Sequence, residues 1–140
     1  SRRSYYNELL GEFEYKDPIR RIKPGPAYFE GPVAVLVSPY CVSACEGFAY
    51  SLTQRENTII VGHFPTAGAY GEVGRGQYDL PADLSMQFPT GRSETPEGAL
   101  LIEGTGVVPD ITVPVSEANA RGEDTVIETA IQTLLDRIDN

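Results

Sequence analysis

The chain has 140 residues and a formal net charge of −9, with 11 Lys and Arg against 20 Asp and Glu. That length is one domain with room for a core, and the acidic balance argues against nucleic acid or an anionic membrane surface as a partner. Arg2, Arg3, Arg20, Arg21 and Lys23 cluster near the start, too few and too local to reverse that. No apolar run approaches a membrane span. No signal peptide is recognised. The opening Ser-Arg-Arg, without an initiator Met, is expected of a processed or trimmed product.

In chain order, residues 1–31 read as an arm or connecting segment, with a short helix predicted over Tyr5–Phe13 and a turn at Lys23-Pro24-Gly25-Pro26. Residues 32–140 form the rest of the domain. Val33-Ala34-Val35-Leu36-Val37 is short, unbroken and β-branched, as a strand buried on both faces is. Ser38-Pro39-Tyr40 breaks it. From Ser43 onward the apolar residues Cys45, Phe48, Ala49 and Leu52 follow the spacing of a helix packed on a sheet. Asn57–Gly62 is the next strand, so 32–62 is a strand–helix–strand unit with a parallel pair. His63–Gly74 is a loop of small residues. Gln77–Leu80 and Leu84–Phe88 read as short strands, Thr90–Glu97 as a polar turn, and Ala99–Ile102 as another strand. After the turn at Gly104–Asp110 comes Ile111-Thr112-Val113. A last helix opens on a Thr125–Glu128 capping box and carries Ile127, Ala130, Ile131, Leu134 and Ile138 on one face. The fold class is α/β with an added β-rich half and a C-terminal helix.

Ser43 stands where a strand hands over to a helix. Helix N-termini offer unpaired N–H groups and a field that favours negative charge. An acyl-transfer nucleophile uses such donors to meet its oxyanion. The same residues also make an S-x-x-E capping box, Ser43 with Glu46, which a helix start carries for stability alone. Cys41 and Cys45 flank Ser43. Read from spacing, a disulfide would distort the helix start, so both are expected as small buried thiols, and with one distant His they make a poor metal site. No metal or organic cofactor is implied.

The order of the pieces VAVLV, CVSACE, TIIVG, PTAG, DLP and GVVPDITV resembles the C-terminal processing (tail-specific) serine peptidase family, over about residues 30–115. The resemblance implies a crotonase/ClpP-like strand–helix–strand core, peptide or protein substrates, and Ser43 as nucleophile. In its Ser–Lys members a Lys follows the Pro-Thr turn, and here Ala69 occupies that place. Ala69 is either an inactivating substitution or the mark of another branch. The tricorn-like branch, which uses Ser, His and Glu, fits better: its Glu falls on Glu103, three residues before Gly106. Its His belongs to an upstream segment. His63 is the one His in the chain and follows a strand end, but that is not where the family places its base. The resemblance therefore implies the C-terminal part of a larger serine peptidase. An upstream part of the same protein supplies the catalytic His, and Ala44 N–H is the oxyanion donor. The isolated chain is expected to be inactive. The family resemblance points to a periplasmic or extracytoplasmic setting. Two rivals remain. One is a non-catalytic ligand- or peptide-binding module with the same fold, as in retinoid-binding repeats. The other is a crotonase-type thioester enzyme, disfavoured because no second oxyanion Gly motif is visible.

Overall fold

A computed structural model describes every residue except Lys16, Asp17, Arg20, Ile22, Pro24, Arg75 and Asn140. The turn expected over Lys23–Pro26 thus falls partly outside the described residues, as does Arg20 of the basic cluster. The elements run β1 (Arg2–Asn7), β2 (Glu12–Tyr15), β3 (Val33–Val37), α1 (Ala44–Thr53), β4 (Thr58–Gly62), β5 (Gln77–Leu80), β6 (Leu84–Gln87), β7 (Gly91–Glu94), β8 (Ile111–Thr112), α2 (Glu117–Ala120) and α3 (Thr125–Ile138). The fold is mixed α/β.

The centre is a parallel sheet in the order β3-β4-β8, with Val33 opposite Thr58 and Val61 opposite Ile111. Successive side chains of a strand point to opposite faces, and β4 shows what each face meets. Ile60 joins Val35, Val37, Ala49, Ile102 and Val107 in one apolar cluster, on the α1 side. Ile59 and Val61 join Val113 and Ala130 in another, on the α3 side. Both faces of β4 are covered, so its apolar run is continuous. β3 departs from the expectation of burial on both faces. It lies at the edge of this sheet, and Leu36 is exposed.

The helix predicted over Tyr5–Phe13 is a hairpin instead. β1 pairs antiparallel with β2 and with β7, placing Arg2 opposite Glu94. Residues 2–15, read with the arm, thereby bury Ser4 and Tyr5. The sheet is held by polar contacts. Ser4 Oγ donates to Glu94 Oε1 at 3.1 Å, and Arg92 Nε donates to the same oxygen. Gly91–Glu94, expected as turn, is therefore strand. Conversely, Ala99–Ile102 forms only a bridge from Leu100 to Glu94, after the chain turns back at Gly98.

Both long helices differ from their predicted faces. Ala49 is buried in α1, but Phe48 and Cys45 are exposed and the buried partner is Glu46. In α3 only Ala130 is buried, while Ile127, Ile131 and Ile138 are exposed and Leu134 is half-buried. The cap of α3 is Asp124, one residue before the predicted box. Its Oδ1 accepts the Ile127 amide at 3.0 Å, while the Thr125 hydroxyl accepts from Asn119.

Candidate active site

Ser43 is the N-cap of α1 at φ 54° and ψ −114°, a region that residues with a Cβ rarely occupy, at a cost of about 1–3 kcal/mol. Its surroundings fix it there. The Ser43 amide donates to Ala69 O at 3.0 Å and to Glu46 Oε2 at 3.0 Å, and Ser43 O accepts from Gly47. The hydroxyl faces the Glu46 amide in a capping-box arrangement without making a cap hydrogen bond. Ser43 is exposed and lines a cleft of about 350 Å³ with Ala44, Phe48, Tyr70, Glu72 and Arg3. Ala44 N–H, the first amide after it, has no acceptor among the described residues.

Glu46 is completely buried. One carboxylate oxygen accepts from Thr66 Oγ1 at 2.7 Å and Gly68 N at 2.7 Å; the other accepts from Ala69 N at 2.9 Å as well as from Ser43. A buried carboxylate persists only when hydrogen-bonded in this way. It bolts the start of α1 to the loop after β4.

That loop is bolted in turn to the segment carrying Glu103. Gly68 accepts from Gly104 N at 2.8 Å, and Thr66 Oγ1 accepts from Val107 N at 2.7 Å. Gly106 sits at φ 68° with Thr66 O only 2.3 Å from where a Cβ would stand, so only glycine permits the approach. Glu103 Oε2 accepts from Tyr70 N at 2.6 Å. Ser43 and Glu103 are therefore held by successive residues, Ala69 and Tyr70, of one segment. Glu103 is half-buried, and its Oε1 makes no hydrogen bond among the described residues. Asp110, in the same motif, pairs both backbone groups of Ile60, through its Oδ2 at 2.8 Å and its amide at 2.9 Å. It thereby leads the chain into β8.

His63 is not brought to Ser43's cleft. It lines a separate trough of about 1060 Å³ together with Leu36, Cys41, Cys45 and Phe64. Its Nδ1 lies 2.7 Å from Val113 O and its Nε2 3.3 Å from Asn119 Nδ2. The cysteines are not thiols: Cys41 and Cys45 form a disulfide with Cα atoms 5.3 Å apart. The helix is undistorted because it begins only at Ala44, so the ring closes across the turn at Ser43 instead of across a helical turn. Arg3 was missed as a cleft residue. It reaches the cleft on β1 and pairs with Glu72 at 3.0 Å, and β1 was not read as a strand. Among the described residues, no group of three or more His, Cys, Asp or Glu is placed to hold a metal.

The sequence model of peptidase family S41 matches residues 2–113. The chain belongs to this family. Two solved structures are similar. A protein from Parabacteroides merdae assigned as a peptidase superposes with a TM-score of 0.66 at 23% identity, over 96% of this chain and 42% of its own. Mature CPAF, solved with lactacystin, gives a TM-score of 0.62 at 26% identity, over 93% of this chain and 25% of its own. This S41 chain thus spans less than half the length of either.

Proposed function

We propose that the chain carries the nucleophile-bearing part of a serine peptidase of the tricorn-like branch, built on a crotonase/ClpP-like core. The observation that carries this reading is Ser43 itself, a non-glycine residue held at positive φ on a helix N-terminus. It opens to a cleft, with a free amide next to it and a carboxylate anchored through the neighbouring residue. In the proposed reaction Ser43 Oγ attacks the scissile carbonyl of a peptide, and Ala44 N–H receives the oxyanion. Glu103 holds an imidazole through its open Oε1. That imidazole comes from outside these 140 residues, in an upstream part of the same protein. The place of the family's Lys is Ala69, whose carbonyl accepts from Ser43, and His63 lies in the other cavity.

The chain alone is then nearly inactive, because a Ser hydroxyl is a weak nucleophile until a base takes its proton. The test compares this chain and a longer form of the protein carrying its own upstream His, each with and without Ser43→Ala, on casein and with a fluorophosphonate probe. Turnover and labelling by the longer form only, abolished by Ser43→Ala, is the expected result. Ser43-dependent turnover by the 140-residue chain would overturn the assignment of the base to an upstream segment. Absence of labelling in every form would overturn the peptidase reading in favour of a ligand- or peptide-binding module, the rival that Ala69 supports.

A further inference from the structure

The disulfide closes a ring of five residues, Cys41 to Cys45, with Ser43 at its centre. Its two ends belong to different parts of the fold. Cys41 is anchored to the loop after β3, its amide on Ser38 O at 3.0 Å and its carbonyl accepting from Ala67 at 3.1 Å. Cys45 lies in the first turn of α1. The bond therefore ties loop to helix across the one turn that holds Ser43 at φ 54°. Its exposure is uneven. Cys41 is buried and Cys45 is exposed, and both line the trough while Ser43 lines the cleft. The trough thus offers a route to the disulfide that does not pass through the cleft.

We propose that Cys41–Cys45 is a redox site, opened in the folded protein by a small dithiol entering the trough, and that its oxidised state is one of the restraints holding Ser43 at positive φ. The reductant's thiolate attacks Cys45 Sγ, and the bonding pair leaves on Cys41 Sγ, which takes up a proton. The reductant's second thiolate then attacks its own sulfur in the mixed disulfide. It departs as a cyclic disulfide and leaves Cys45 as a thiolate that is protonated. The protein gains two electrons and two protons, and the dithiol loses them. A non-glycine residue keeps a sparsely populated φ,ψ only while its surroundings over-determine it. After reduction the turn retains its bonds to Ala69 and Glu46 but loses its covalent closure.

The test uses dithiothreitol on the folded chain, with thiols counted by iodoacetamide alkylation and mass spectrometry, and the backbone followed in two-dimensional amide NMR spectra. Two new thiols are expected while the far-UV spectrum is unchanged, with the Ser43 and Ala44 amide peaks moving well beyond those of Ile59 and Ile60. Reoxidation returns the peaks to their places. The double variant Cys41→Ala/Cys45→Ala should show the reduced peak positions. If it does not fold, the oxidised and reduced wild-type spectra decide alone. Thiols that appear only with denaturant, or a fold that melts on reduction, would overturn the proposal by making the bond a structural staple. Two thiols with Ser43 and Ala44 unmoved would sever it from the nucleophile turn. Neither readout requires peptide cleavage, so these outcomes are separate from the fate of the peptidase reading.

Discussion

Glu46→Ala is the sharpest perturbation of this site that leaves Ser43 in place. The carboxylate accepts from four donors, Thr66 Oγ1, Gly68 N, Ala69 N and Ser43 N. They do not suffer equally when it is removed. Ser43 N keeps its bond to Ala69 O, and Ala69 N is at a part-buried position. Gly68 N and the Thr66 hydroxyl are buried and lose their acceptor outright. A buried donor left unsatisfied costs about 1–3 kcal/mol, so the pair costs about 2–6 kcal/mol, a large share of a domain's stability of about 5–15 kcal/mol. Glu46→Gln should fall between. One oxygen still serves Thr66 and Gly68, but the amide NH₂ then faces two N–H donors. Urea unfolding followed by circular dichroism measures all three proteins. The reasoning fails if Glu46→Ala lies within about 0.5 kcal/mol of wild type, the range of ordinary surface changes, or if the Gln variant is the weaker of the two.

Gly106→Ala should lower the urea midpoint much more than Gly104→Ala. Both residues have positive φ, so each pays left-handed strain of about 1–2 kcal/mol, but the new Cβ meets Thr66 O at 2.3 Å only at position 106, with nothing within 4 Å at 104; equal losses would refute the close-approach argument. Burial works to raise the Glu94 pKa, yet hydrogen bonds from Tyr15, Arg92 and Ser4 hold it below the ordinary 4.5. The stability it gives is therefore complete above the unfolded value and lost as pH falls through the lowered one, and Glu94→Gln should flatten the acid limb of a stability–pH curve. A hydrogen bond to Glu94, with burial and the Glu94 charge behind it, raises the Tyr15 pKa above 10. That support is complete below about pH 10 and fades as pH climbs through the raised value, which tyrosine absorbance followed against unfolding should show in wild type and not in Tyr15→Phe.

Where the fold was legible in the sequence, an apolar pattern had a partner close by in the chain. β3, α1 and β4 lie within thirty residues (Val33–Gly62), and their pattern reports the two clusters that cover β4 directly. The β1–β2–β7 sheet was illegible for a physical reason. It is organised by hydrogen bonds between polar residues, such as Ser4 and Glu94, that are 90 positions apart, and polar side chains leave no period-two signature. Phe48 and the face of α3 fail differently. Periodicity reports that a face is apolar, not that something covers it, and Phe48, Ile127 and Ile131 remain in solvent.

At the site, the positions of Ser43 and Glu46 followed from the strand-to-helix handover, but what holds them did not. PTAG and GTGVVPD each read as a turn. In the structure the two turns are one device, in which Gly68 and Gly106 permit backbone contact and Thr66 accepts from Val107 while donating to Glu46. Glu103 is carried by one turn and held by the other through Tyr70. Its relation to Ser43 is thus set by packing between segments and not by spacing along the chain. The disulfide was misjudged on the same ground. Spacing of four suggested one helical turn, whereas the positive φ of Ser43 ends the helix between the cysteines. The backbone feature that makes Ser43 a candidate nucleophile is therefore also what allows Cys41 to reach Cys45.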